Sequence, residues 1–482
     1  MMLRKLFRKP ADVIVFLLFI ALIAFTVYLF FFRRLNHSDF SEEEDLPMIL
    51  KRDTLVAITD NSSTSYFIYK GQPLGYQYEL LTEFADHLGV ALRIVPVSSI
   101  EESFLRLKAG EADLIAMDLT VTAPRSDLIA FSRPLSETRQ VLIQRKPLEV
   151  PKKKKKKDPV PGLITKLADL SEKTIHVQKN SSHSLRIRNL ASENGININI
   201  VEVDQDSEDL IAMVSEGEIE FTVADDHVAM ANSTWYDNLD ITTEVSLPQD
   251  VAWAAKQGSD SLLGVLNRWL ESFIGTKKYA KIYKKYFISK KSNHLKESEY
   301  HSLKGGKLSP YDALIRKHTA DSPWDWRFVA AIMFEESRFN ARAQSWAGAY
   351  GLMQLMPGTA RKFGVKNPES PEEQIKGGIR LLNFLNEKLP DEINNPDERA
   401  RYVLACYNIG MSHILDAYYL ALKYNEDPSK WEVAEKYLLL KSKPKYFNDP
   451  VVKGGYARGR ETRKFVQKVY NRFLDYKNTL SE

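Results

Sequence analysis

Glu335-Glu336-Ser337-Arg338-Phe339, followed by Gly348-Ala349-Tyr350-Gly351-Leu352-Met353-Gln354-Leu355-Met356-Pro357, sets a helical run ending in carboxylates against a glycine-studded loop with one amide side chain. No Asp or Glu occurs from Ser337 to Pro368. Ordinary glycosidases flank the scissile bond with two carboxylates. A lone acid beside a carboxylate-free loop points to sugar-bond cleavage in which some other group meets the developing positive charge. From Tyr311 onward the apolar spacing is helical, punctuated by Pro323, Pro357, Gly364 and Pro371. An all-α C-terminal domain is therefore expected.

Within that domain, Phe328, Ile332 and Glu336 stand at i, i+4 and i+8, on one helical face. This places the Glu336 carboxyl beside apolar side chains at the C-terminal end of its helix. Burial disfavours the charged form, and a helix C-terminus carries partial negative charge. Both raise the pKa, as a general acid working near neutrality requires. Glu335 lies about 100° further round the helix and is expected to be a solvated neighbour.

The preceding region has a different rhythm. Leu55-Val56-Ala57-Ile58 reads as a buried strand, Tyr78 to Leu88 as a helix stopped by Gly89, and Ala91 to Val95 as a strand. Ser103 to Ala109 is a helix ended by Gly110, and Ala112 to Ala116 another strand. The pattern repeats with strands at Lys173–Val177, Phe221–Ala224 and Ala252–Ala255 and a helix at Asp209–Ser215. Alternation of this kind predicts two α/β lobes with parallel sheets. A crossover near Phe131 to Gln144 makes them a clamshell able to close on a ligand.

The N-terminus carries a third signal. Val13 to Phe32 is free of charge, and twenty helical residues at ~1.5 Å each span a ~30 Å hydrocarbon core. Arg4, Lys5, Arg8 and Lys9 precede the run, and Arg33 and Arg34 follow it, before Glu42-Glu43-Glu44-Asp45. The positive-inside rule then leaves the N-terminus in the cytoplasm. A cleaved signal peptide is the alternative, but the apolar run is long for one and no small-x-small site follows. With no cysteine nearby to carry a lipid, the expectation is a single-pass cytoplasmic-membrane protein whose bulk faces the periplasm. The boundaries are a cytoplasmic tail at 1–10, a transmembrane anchor at 11–32, a tether at 33–50, the clamshell at 51–289, a linker at 290–310 and the helical domain at 311–482. The run Lys152 to Lys157 reads as a solvated loop between lobes, or as an attractor for anionic lipid or wall polymer.

Composition narrows the classes. The 482 residues suit roughly three domains at ~150 each, and 44% apolar with 27% charged is ordinary for folded protein. The net charge of +4 gives no argument for nucleic acid. The single cysteine, Cys406, excludes an intramolecular disulfide and a cysteine metal cluster. The nine histidines are scattered, without HExxH spacing, so no metal and no cofactor are expected.

Residues 53–270 resemble the extracellular solute-binding proteins that recognise amino acids. The matching stretches are Gly75-Tyr76-Gln77-Tyr78-Glu79-Leu80, Ala112 to Ala116, Thr120-Val121-Thr122-Ala123-Pro124-Arg125, Phe131-Ser132-Arg133-Pro134 and Thr222-Val223-Ala224-Asp225. The resemblance implies an amino acid or cell-wall peptide as ligand. Arg125 would hold its carboxylate through two parallel hydrogen bonds, Thr120 would donate to the same oxygen, and Asp225 would accept from its ammonium. Asp118 departs from the pattern, standing where relatives often have a glycine. A negative side chain there crowds or repels a carboxylate, so the ligand is a longer peptide or the pocket has changed its use. Tyr66, Phe67 and Tyr69 either flank the ligand or belong to the core.

Residues 311–482 resemble the goose-lysozyme-like lytic transglycosylases of bacterial cell walls. The motifs are Glu336-Ser337, Ala349 to Pro357 and Ala405-Cys406-Tyr407-Asn408-Ile409-Gly410. With the clamshell and Gly455-Tyr456-Ala457-Arg458-Gly459-Arg460-Glu461, nearly the whole chain is similar to members that join the two domains. The resemblance implies peptidoglycan glycan strands as substrate. The substrate's own N-acetyl group, a known alternative to a second acid, would meet the cation. Glu336 would protonate the leaving oxygen and then take the proton from the muramyl 6-hydroxyl as it closes onto C1, giving a 1,6-anhydro sugar. Ser337 would hold Glu336 or touch the substrate, and Gly351 would let the chain approach the sugar. Met353 and Gln354 would line subsites, Tyr407 would reach toward Glu336 or the N-acetyl group, Asn408 would fix the loop, and Tyr456 would wall the cleft. Two alternatives stand beside this: a sensor whose helical domain only grips the wall, and a hydrolysing muramidase that draws a second carboxylate from Glu461 or from near Glu369.

Overall fold

The computed structural model describes residues 45–97, 99–147, 162–289 and 298–480. The expected tail at 1–10, the transmembrane anchor at 11–32, most of the tether and the lysine run at 152–157 lie outside these residues. Among the described residues no helix is long and apolar enough to cross a membrane.

The α/β half forms two lobes. In the first, Thr54–Asp60 runs parallel to Ala91–Val97 on one side and to Leu114–Ile115 on the other. Leu55 through Thr59 are all buried, as befits a strand covered on both faces. The crossover helices are Tyr76–Leu88, ended by Gly89 at φ 72°, and Ile100–Lys108, capped by Ser99 Oγ accepting from Glu102 N. Ala254–Ala255 and Ala130–Phe131 complete the sheet in antiparallel fashion.

The second lobe has strand order Asn199–Val203, Thr174–Gln178, Phe221–Asp225, Gln140–Arg145, Leu239–Glu244. The first three are parallel; Gln140–Arg145 is antiparallel to both its neighbours. The expected crossover at 131–144 therefore divides. Ser136–Thr138 pairs with Gln249–Val251 where the chain passes between lobes, and Gln140–Arg145 is already a central strand. This two-stranded ribbon is the natural hinge.

The C-terminal domain is helical. Its central helix, Trp326–Ser337, is buried from Trp326 through Phe334, the mark of a helix wrapped by others. Gly459–Thr479 and Asp312–Thr319 pack directly on it, and Pro371–Lys388, Pro396–Ile409, Met411–Lys423 and Trp431–Leu440 complete the domain by packing on these and on one another. Two of these start with proline behind a capping side chain, Ser370 accepting from Glu373 N and Asn395 from Asp397 N.

The first lobe and the helical domain share one core. A single buried apolar network runs from Leu55, Phe84 and Trp269 to Ile332, Leu382 and Leu404, whereas the second lobe keeps its own clusters around Ile175 and around Ile143. The junction is a hairpin, Phe67–Tyr69 with Gln72–Leu74, docked on the helix Gly459–Thr479. Gly71 at its tip has φ 75°, and a Cβ there would come within 2.6 Å of Phe339 and 2.9 Å of Phe334. Its carbonyl accepts from Tyr476 Oη at 2.6 Å and Arg472 Nη1 at 3.0 Å. Residues 298–310 join the same packing: Phe67 stacks on His301 at 4.5 Å, and Leu308 is buried.

Candidate active site and ligand cleft

The helix Trp326–Ser337 carries Glu336 on its last turn, and Arg338 and Phe339 then take left-handed φ values of 52° and 60°. Glu336 is half-buried, and burial together with the Glu335 charge pushes its pKa up to about 7. Glu335 is not the solvated neighbour expected. It forms an ion pair with Arg472 at 2.6 Å, with side-chain exposures of only 11% and 14%. The pair is reached only through tertiary packing, because Arg472 belongs to the last helix.

The loop facing Glu336 is held from three sides. Ser337 Oγ donates to Met333 O at 3.0 Å and Leu352 O at 2.8 Å, bolting the helix Trp326–Ser337 to the loop. Gly351 has φ 83°, and a Cβ there would lie 2.5 Å from the Gln374 side chain. Only glycine combines that φ with that contact. Gln374 is buried; its Oε1 accepts from Leu352 N at 2.7 Å and its Nε2 donates to Ala341 O at 3.1 Å. Gln354, at φ 44°, donates Nε2 to Ala343 O and Gly351 O. Met353 is buried with its sulfur against Gly378.

Tyr407 Oη donates to Met353 O, and burial and the nearby Glu336 raise its pKa well above the usual phenol range. Asn408 Oδ1 accepts from Thr462 Oγ1 at 2.9 Å, tying its helix to the last one. Tyr456 is 51% exposed, packs edge-on against Phe447 and borders the groove between the first lobe and the helical domain. The loop that carries it hangs on a buried pair: Lys441, fully buried, bonds Asp416, whose oxygens also accept from Lys453 N and Gly454 N. Sequence reasoning missed Gln374 and this pair. Their signal was an amide at an inward position beside Gly377 and Gly378, and two charges in apolar runs.

In the clamshell, the lobes enclose a cavity of about 310 Å³ lined by Arg125 and Asp225. Arg125 Nη1 donates to Thr120 O at 3.0 Å. Thr120 itself is not among the lining residues; its Oγ1 lies 3.3 Å from Ser182 Oγ, which is. Asp118 is not a bare negative charge. Gln77 Nε2 donates to its Oδ1 at 2.8 Å, and its Oδ2 lies 3.1 Å from Nε2 of His227 in the second lobe. Burial opposes the His227 charge, but Asp118, Asp226 and Asp225 outweigh it and raise its pKa to about 10. Tyr66 and Phe67 are core side chains, and none of Tyr66, Phe67 and Tyr69 lines the cavity.

Residues 55–289 match the bacterial extracellular solute-binding proteins, family 3, and residues 313–431 match the transglycosylase SLT domain. The chain is 30% identical over 465 residues to a membrane-bound lytic murein transglycosylase F of Desulfosudis oleivorans, covering 96% of this chain and 97% of that protein. A protein of the same name from Saccharophagus degradans is 31% identical over 438 residues, covering 86% and 80%. One from Shewanella pealeana is 32% identical over 443 residues, covering 90% and 87%. The two domain matches fall on either side of the packed segment 298–310, and the relatives run through both nearly end to end: the chain belongs to the membrane-bound lytic murein transglycosylase F family.

Proposed function

We propose that the chain is a peptidoglycan lytic transglycosylase that cleaves the MurNAc-GlcNAc β-1,4 bond without water, and that Glu336 is its acid and base. The observation that carries this is the state of the two adjacent carboxyls. Glu336 is pushed up to about 7, so a large share of it stays protonated at neutral pH, while Glu335 is committed to Arg472. Glu335 is the carboxyl whose charge reaches Glu336, and its ion pair leaves it unsuited to hold a hydrolytic water. The protonated Glu336 gives its proton to the leaving oxygen as the C1–O bond breaks. The N-acetyl group stabilises C1, and the carboxylate then accepts the proton of the 6-hydroxyl as O6 bonds C1, closing the 1,6-anhydro ring.

In this reading Gly351, Met353 and Gln354 shape the subsite wall through their backbone, which Ser337 and Tyr407 hold in place by bonds to Leu352 O and Met353 O. Asn408 fixes the helix end, and Tyr456 borders the cleft. Residues 311–482 form the catalytic unit. Residues 51–289 bind an amino acid or wall peptide through Arg125 and Asp225, with Thr120 buttressing Arg125 by its carbonyl, and closure of the lobes biases catalysis. The segment 11–32, with its uncharged run Val13 to Phe32, anchors the protein in the cytoplasmic membrane with the remainder in the periplasm; the names of the relatives support membrane attachment.

Mass spectrometry of sacculi digested with the full chain tests the chemistry. Anhydro-muramyl ends that vanish with Glu336→Gln are expected; reducing ends would make the protein a hydrolase.

A further inference from the structure

The last helix, Gly459–Thr479, turns two rows of side chains toward the groove between the first lobe and the helical domain. Arg463, Gln467 and Asn471, at i, i+4 and i+8, are spent on holding the first lobe. Arg463 pairs with Asp53 at 2.7 Å, and also with Glu435 of the helical domain at 2.8 Å. Gln467 Nε2 donates to Asp53 O and Thr54 Oγ1, and Asn471 Nδ2 donates to Leu92 O at 3.3 Å. Arg460, Lys464 and Lys468 form a second row at the same spacing. All three are exposed, line the groove and make no ion pair among the described residues.

Arg338, Lys443 and Arg458 add three further exposed cations to the lining. Against these six the groove sets five carboxyls among its described residues, and three of them are accounted for. Asp53 and Glu335 are ion-paired, and Asp475 is buried, which raises its pKa to about 7. Asp86 and Glu461 remain. A surplus of cations gathered in one groove draws in carboxylates and raises their local concentration.

The groove also starts beside the proposed active site. Glu335 and Arg338, which bracket Glu336 and Ser337 in the chain, both line it, and so does Tyr456. At about 1160 Å³ it exceeds the roughly 300–1,000 Å³ of small-molecule sites, so it suits a segment of polymer. A glycan strand whose muramyl lactyl groups are capped by peptide has uncharged sugars. The carboxylates of such a strand are those of its stem peptides.

We propose that this groove binds the acidic stem peptide of the muramyl residue being cleaved, its carboxylates met by Arg460, Lys464 and Lys468, so that strands with acidic stems are cleaved faster than strands with neutral ones. This rests on the transglycosylase reading and adds the part of the substrate that sets its preference. One helix then carries both tasks: its inner row fixes the first lobe, and its outer row reads the peptide.

Release of anhydro-muramyl products by the full chain in detergent tests it, on glycan strands carrying uncross-linked stem peptides and on the same strands with the stem carboxyls amidated. Three exposed ion pairs together should make kcat/KM about tenfold higher on the acidic strands. Combining Arg460→Gln, Lys464→Gln and Lys468→Gln should bring that ratio to within about twofold of one. Glutamine is a good helix former, so the exposed helix face keeps its structure, which circular dichroism checks. Equal cleavage of acidic and amidated strands by the unaltered chain overturns the stem-peptide site and leaves the transglycosylase reading standing. A preference that survives the triple substitution overturns its placement on the last helix. Anhydro products from neither substrate overturn both.

Discussion

At Glu336, burial and the Glu335 charge act in the same direction, and the second can be removed alone. In its proposed role as general acid Glu336 works in its protonated form, so turnover should fall as pH rises through about 7. Removing Glu335's charge lowers the Glu336 pKa and leaves the Arg472 cation nearby, which lowers it further. Glu335→Gln should therefore move the alkaline limb of the pH–rate profile to lower pH, read by anhydro-product release between pH 5 and 9. Glu336→Gln should cost roughly 10²–10⁴ in rate. Glu336 was legible because its apolar face repeats every four residues along one helix. Glu335's pairing was not, since its partner lies on the last helix and nothing local marks the two as neighbours. The same holds for Asp118: the sequence shows its charge, and His227 across the cleft decides what that charge does.

At the scale of elements, two buried attachments hold the surroundings of Glu335 and of Tyr456 in place. Arg472 joins Glu335 and the Gly71 carbonyl, so Arg472→Ala leaves a buried carboxylate unpaired and should cost about 3 kcal/mol in urea unfolding. Asp416 holds Lys441 and the backbone before Tyr456. Asp416→Ala should destabilise by a similar ~3 kcal/mol and, with Tyr456 in its proposed place at the cleft wall, raise KM more than it lowers kcat. The strands and helices with strong periodicity were readable: Thr54–Asp60, Tyr76–Leu88 and Ala91–Val97 all lie where the apolar pattern puts them. Ala112–Ala116 shrinks to Leu114–Ile115, because a strand's length depends on how many partner residues the neighbours offer. The helix Ser182–Asn194 was missed: its serines, arginines and asparagines give too weak an apolar stripe. Gln140–Arg145 looked like part of a connection because its role as a central strand is set by partners far along the chain.

On the scale of the whole molecule, one lobe of the clamshell is built into the enzyme and the other is not. The second lobe has separate apolar clusters, joined to the rest through the ribbon of Ser136–Thr138 and Gln249–Val251 and through one helix, Asp226–Ser233, whose Ala231 reaches the shared core and whose His227 packs on Phe287. Scanning calorimetry should resolve two transitions, and a bound clamshell ligand should raise the one belonging to the second lobe. Residues 311–482 expressed alone should melt lower than the full chain, since removing the hairpin exposes Phe334, Phe339 and Tyr476, which Gly71 now covers. The shared core has a further consequence for anyone wishing to watch the protein at work. The first lobe and the C-terminal helices form one reference frame, and Trp346 is fully exposed on the loop after Glu336, in a backbone turn that Ser345 N closes onto Ala349 O. A dye pair placed at position 346 and on the second lobe at Glu193 should change its energy transfer as the jaws move, while a pair at position 346 and on the first lobe at Lys108 should keep a constant signal. The molecule thus supplies its own stationary mark.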